Sequence, residues 1–401
     1  MTFGFDPWSP AFVAGPYDVY AELRRQAPVT WFEPTNQWLI SRYSDVSSLL
    51  RDRRLGRTFL HVGTREEFGH TPDPEHLAPF WHLIRNGMLD REPPDHTRLR
   101  RLVSKAFTPR RVAELRPTIQ TIADQLVDEL LASDGGDIIA IVAEPLPVTV
   151  IAEMLGVPES DRHWLRPWSA DICGMYELNP TRETADRAVR ACEEFSDYLR
   201  GLARSRRSDP RDDLITALVQ VQDEGDRLTE DELIGTCVLL LNAGHEATVN
   251  VTGNGWWTLF RNPDQLAALR ADSGLLPTAI EELMRFDTPL QMFERWVLED
   301  IEVAGVPIPR GSEVALLFGS ANHDPEVFVD PERLDLARVE NPHLSFGAGI
   351  HFCLGAPLAR LELEISFGTL LRRAPRLTLV TEPEWKAGYI IRGLKELRVK
   401  A

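Results

Sequence analysis

The stretch Phe346-Gly347-Ala348-Gly349-Ile350-His351-Phe352-Cys353-Leu354-Gly355 decides how this chain reads. A lone cysteine is ordinarily a small buried hydrophobe with no chemistry. Here glycines at 347, 349 and 355 remove side chains on either side of Cys353. The backbone can then turn tightly and a flat group can approach closely. Ala356-Pro357-Leu358-Ala359-Arg360 starts a helix directly downstream, with Pro357 suited to its first turn. Cys353 therefore lies at a helix N-terminus, where the dipole and unbonded N–H groups favour the thiolate. A thiolate in a glycine loop, open on one side, has the chemistry of an axial metal ligand.

Composition narrows the rest. The chain has 401 residues, enough for one large domain or two, and 43% are hydrophobic, enough for a substantial core. A net charge of −17 argues against general nucleic-acid binding and against adhesion to anionic membranes. The four cysteines, at 173, 192, 237 and 353, lack metal-type spacing and do not make a disulfide framework. The N-terminus has no basic region followed by an apolar run, so no signal peptide is expected. No stretch approaches the roughly 20 apolar residues of a membrane helix. A soluble, cytoplasmic protein is the expectation.

Taken in order, Val29 to Ile40 reads as a hairpin around Glu33-Pro-Thr-Asn36, and Tyr43 to Leu50 as a short helix. Gly56 to Asp90 has little periodicity and reads as a long loop, functional or mobile. Asp95 is placed as the cap of a helix that stops before Pro109. On it His96 and Arg100 are four apart and share a face, a pair suited to an anion. Arg98, Arg101 and Lys105, with Arg110 and Arg111, read as a basic island on an acidic protein. From Arg111 to Ser205 the pattern is helical, broken at Asp134-Gly-Gly-Asp137 and Leu155-Gly-Val-Pro158. Thr229-Glu-Asp-Glu232 is a capping box opening a helix that extends to Arg261, interrupted at Gly244 and His245-Glu246. Glu282 and Arg285 are spaced to pair. Phe293 to Phe318 alternates like strands, and the end, around Tyr389-Ile-Ile-Arg392, is strand-like. The fold class expected is mainly α with small β-sheets.

Phe-Gly-x-Gly-x-His-x-Cys-x-Gly resembles the haem-binding loop of the cytochrome P450 superfamily, with Phe346, Gly347, Gly349, His351, Cys353 and Gly355 on the fixed positions. The His96 helix, the long helix, Glu282-x-x-Arg285 and Arg295 occur in family order, so the resemblance covers essentially the whole chain. It implies residues 1–401 as a single haem domain of the bacterial soluble class, with a long helix over haem b. Cys353 would ligate the iron, and His96, Arg100, Arg295 and His351 would meet the haem carboxylates. Gly244 is expected to leave space for oxygen, with Glu246 handling protons. Met88, Leu89, Leu240, Ala243, Leu290, Met292 and Ile390 are candidate substrate contacts. Ala321-Asn-His323-Asp-Pro departs from the family's usual Ala-Asn-Arg-Asp-Pro, leaving one local ion pair open.

The larger departure is at the oxygen-handling step. Ala247 stands where relatives place a threonine, and Thr248 comes one residue later, about 100° around the helix. The resemblance implies a monooxygenase acting on a mid-sized organic, secondary-metabolite substrate. It would work as a monomer, taking electrons from an acidic ferredoxin that docks on the basic island and is itself served by a ferredoxin reductase. Oxidative coupling or desaturation by the same centre is the alternative within enzymes; a haem-binding sensor or scaffold is the alternative outside them.

Overall fold

The computed structural model describes residues 3–223 and 225–401. Helices dominate, with three small sheets among the described residues, as the sequence pattern requires. The chain divides into two compact units. One takes the residues up to Gly56, Ile119–Leu146 and Ala247 onward; the other takes Arg57–Thr118 and Pro147–Glu246.

The first unit holds the sheets and the cysteine loop. Val29–Phe32 and Gln37–Ile40 pair antiparallel with Val29 opposite Ile40, in keeping with the hairpin pattern. Asn36 takes φ +55 to close the turn, a conformation asparagine tolerates. The second hairpin strand continues, parallel, into Glu313–Leu316, and Phe293–Val297 pairs beyond that. A core of Ile40, Val46, Leu316 and Phe318 fills one side of this sheet. A second core joins the end of the long helix to the helix Ala356–Arg373, where Trp256 stacks on Phe367 with ring centroids 5.3 Å apart. Gly255 is small because a Cβ there would lie 2.9 Å from the Phe367 ring.

The second unit is helical. Thr229 and Glu232 form the reciprocal capping box: Glu232 N donates to Thr229 Oγ1 at 3.2 Å, and Thr229 N to Glu232 Oε2 at 2.9 Å. From that start the helix runs unbroken over Glu230–Arg261, 32 residues. The interruption expected at Gly244 is absent, because the helix continues straight through it. Two other expectations need correction. The stretch 56–90 is not all loop: Ala78–Asn86 is a helix, begun by Pro79 in its first turn. Asp95 does not cap; it is the first helical residue, after Pro94, and pairs with Arg91 at 2.8 Å. Near the C-terminus, residues 389–392 form bends and an isolated Leu290–Ile391 bridge rather than a strand. Among the described residues no helix is long and apolar enough to cross a membrane.

Candidate functional site

The cysteine loop is built by short backbone bonds. Gly347 N donates to Leu344 O at 2.8 Å, Phe352 N to Gly349 O at 3.1 Å, and Cys353 N to Phe346 O at 3.0 Å. Gly347 and Gly349 take φ +67 and +70, where side chains are strained. Gly349 also presses on Leu50, whose carbonyl oxygen would lie 2.3 Å from an added Cβ. On the other side the loop is open: a Cβ at Gly347 would meet nothing within 4 Å, and one at Gly355 only Cys353 Sγ, at 3.9 Å. Cys173, Cys192 and Cys237 are buried, whereas Cys353 is partly exposed. Burial pushes the Cys192 and Cys237 thiols up to about 12 and raises Cys173 as well, so these three stay protonated.

Behind the loop stands an ionic support that the sequence reading missed. Arg360 forks onto Glu281 at 2.6 and 2.8 Å, and its guanidinium lies over the Phe346 ring, 4.5 Å from the centroid. His343 Nε2 meets the same carboxylate at 3.0 Å. The available signal was an arginine in the second turn of a helix, where the dipole disfavours a cation unless a carboxylate compensates. Burial raises the Glu281 pKa, but the bonds and charges of Arg360 and His343 outweigh it and hold the carboxyl down to about 2. A depressed folded-state pKa stabilises above the unfolded value of about 4.3, and the contribution is lost as pH falls from there toward 2. The stability gap between native protein and Glu281→Gln should therefore be widest near pH 7 and close as pH drops below about 4. Urea midpoints at about pH 7, 4 and 3 check this; a gap independent of pH would contradict it.

His323, at the departure from the usual arginine, keeps the local link. Its Nδ1 meets Glu332 at 3.0 Å, its Nε2 meets the Phe286 carbonyl at 2.8 Å, and its ring stacks on Tyr17.

On the long helix, Ala243 and Ala247 are exposed, although most of the helix is buried. They are four apart and so occupy one face. Gly244 does not open this face: its Cβ position points at Ile151 Cδ1, 3.1 Å away, so the glycine allows close helix packing. Thr248 is 4% exposed, rotated into the packing, and its carbonyl accepts a bond from Thr252 Oγ1 at 2.9 Å. Glu246 is half-buried and lies close enough to Cys173 to help raise that thiol, after the larger effect of burial.

Arg295 is buried on strand Phe293–Val297, its Nη1 donating to the Glu294 carbonyl and its guanidinium over Phe293. With Phe346, Gly347, His351, Cys353 and Gly355 it belongs to the first unit. Leu290, Met292 and Ile390 are in that unit too, where Gln291 N donates to Ile390 O at 3.0 Å and ties the two segments together. His96, buried, and Arg100, half-buried, lie on the helix Asp95–Ala106 of the second unit. That unit also holds Met88, Leu89, Leu240 and Ala243; Leu89 lines a cleft, while Met88 and Leu240 are buried at 6% and 8% exposure.

The basic island is not a positive patch. Arg98 pairs with Glu232 and Asp226, Arg101 and Lys105 share Asp223, Arg110 pairs with Glu114, and Arg111 lies 3.5 Å from Asp212. Neighbouring carboxylates cancel the field that would steer an acidic partner.

Do these residues fit a haem? Among the described residues no group of three or more His, Cys, Asp or Glu is placed to hold an ion. A metal at Cys353 would thus have fewer than three such protein ligands, which suits a metal that brings most of its ligands with it, as iron in a porphyrin does. The open glycine side of the loop suits a flat macrocycle, so the residues fit. The fold and this loop together are those of haem-thiolate proteins. The family model described as Cytochrome P450 matches residues 169–375. Cytochrome P450 monooxygenase PikC of Streptomyces venezuelae is 42% identical over 97% of this chain and 92% of its own. The 6-deoxyerythronolide B hydroxylase of Saccharopolyspora erythraea is 40% identical over 100% of this chain and 99% of its own. The solved structure of PksS, the bacillaene polyketide synthase cytochrome P450 of Bacillus subtilis 168, superimposes with a TM-score of 0.90 at 37% identity, covering 99% of each chain. This chain belongs to the cytochrome P450 family. It is a haem monooxygenase with haem b as cofactor, so the non-catalytic scaffold reading falls away.

Proposed function

We propose that Cys353 is the thiolate ligand of that haem and that the enzyme inserts one oxygen atom from dioxygen into a mid-sized, largely apolar secondary metabolite. The observation that carries this is the partly exposed Cys353 on its open glycine loop, against three buried cysteines. The whole of residues 1–401 serves as one haem domain, cytoplasmic and monomeric, with end-to-end likeness to relatives in support. Likeness to proteins named for polyketide biosynthesis and for hydroxylating 6-deoxyerythronolide B supports a substrate of similar size. Electrons come from a separate ferredoxin and its reductase, docking elsewhere than on the neutralised island.

Haem with a thiolate ligand supplies oxygen activation, the thiolate favouring O–O cleavage. The chain's own residues do the rest. By the family resemblance, His96, Arg100, Arg295 and His351 would each meet a haem carboxylate through charge-assisted bonds. Glu246, half-buried on the long helix, is the carboxylate that would relay protons. Ala247 contributes no hydroxyl, and Thr248 is turned away, so a substrate hydroxyl or an ordered water completes the proton path. Ala247→Thr should therefore leave product formed per electron little improved, within about twofold, with the true substrate. A large rise would contradict the substitute path. Product analysis under isotopically labelled dioxygen tests the reaction: one labelled oxygen in product supports insertion, and unlabelled coupled or desaturated product overturns it.

A further inference from the structure

Arg360 is the first arginine or lysine after Cys353, in the second turn of the helix Ala356–Arg373. A neutral side chain would pack there without opposing the helix dipole. The guanidinium lies over Phe346, 4.5 Å from the ring centroid, and the Phe346 carbonyl accepts the Cys353 N–H at 3.0 Å. One positive charge is thus tied, through one residue, to the backbone of the cysteine. The Arg360 pKa is raised, first by its bond to Glu281 and in smaller part by the charge of Cys353. Glu281 is held from a second side as well. Ser345 N donates to His343 Nδ1 at 3.2 Å, so the other ring nitrogen carries the proton that Glu281 accepts at 3.0 Å. The carboxylate therefore keeps an anchor of its own when Arg360 is changed.

We infer that Arg360 and Glu281 form a charge couple that sets how readily the centre at Cys353 accepts an electron, an inference that rests on Cys353 being the haem thiolate. Reduction adds one electron, supplied by the ferredoxin proposed above. No bond to the protein forms or breaks, and the centre becomes one unit more negative. A fixed cation beside the thiolate favours the more negative state and weakens the donation of the sulfur to the metal, so Arg360 raises the reduction potential. Glu281 opposes that cation and limits the rise. Both act through the loop, as positioning residues. The Arg360 side chain is 40% exposed, so water and salt screen its charge and the effect is a few-fold one.

The test is a redox titration of haem-loaded, substrate-free enzyme near neutral pH and at low salt, followed by the Soret band. Arg360→Gln should lower the equilibrium constant for one-electron reduction about fivefold, a fall of roughly 40 mV at about 59 mV per tenfold. Glu281→Gln leaves the guanidinium uncompensated and should raise the constant about threefold. Arg360→Lys keeps the charge without the fork and should stay within about twofold of native. Loss of a merely structural brace would move all three variants the same way. Shifts of one sign in Arg360→Gln and Glu281→Gln, or either one unmoved, overturn the charge couple, and so does a lysine variant that matches the glutamine one. Where Arg360→Gln fails to take up haem, the Glu281→Gln shift decides: a rise supports the couple, and a fall or no change overturns it. A normal thiolate signature in the ferrous carbon monoxide complex of the native protein, alongside any such failure, leaves the monooxygenase reading standing; absence of that signature in native protein removes both.

Discussion

Arg285→Ala is expected to destabilise the protein by about 3–5 kcal/mol, because it leaves a carboxylate in the interior without its main partner. Arg285 and Glu282 are both fully buried, joined by two bonds of 2.8 Å. Arg285 Nη1 also donates to the carbonyls of Asn322 and Pro331. Glu282 in turn receives Arg338, Asn341 and the Asp335 amide, so one ion pair pins segments more than 50 residues downstream of it. From Asn322 the network reaches the start of the cysteine loop, since Leu344 N donates to Asn322 Oδ1 at 2.8 Å. Arg285→Lys keeps the charge but loses the fork, and should fall between. Urea midpoints for the three proteins check the order; an alanine variant within about 1 kcal/mol of native would contradict it.

Cys353→Ala should abolish turnover while costing little stability. Its side chain is partly exposed and the loop is closed by backbone bonds, so fewer packing contacts are lost than at a core position. The melting temperature of the apoprotein should stay within about 2 °C of native, against complete loss of product. A variant that still turns over would remove Cys353 from its proposed role. One that fails to fold would assign it a structural one instead.

What can be read in the sequence is local. The capping box at Thr229, the hairpin at Val29–Ile40 and the Glu282–Arg285 pair each depend on residues a few positions apart, and each forms as expected. The glycine loop is legible for the same reason. Misreadings come from long-range partners or from residues with two uses. Lys105 meets Asp223 and Arg98 meets Glu232, more than 100 residues away, so the island's neutrality is invisible from its own segment. Pro79 reads as a loop residue but begins a helix. Gly244 suggests open space, yet its Cβ position is filled by Ile151.

The most direct measurement is the absorption spectrum of the reduced, carbon monoxide-bound holoenzyme. Thiolate ligation by Cys353 predicts a red-shifted Soret band in the native protein, and its replacement by the unshifted band of a neutral ligand in Cys353→His. A native spectrum without the shift, or a shifted band that persists in the variant, would contradict the account.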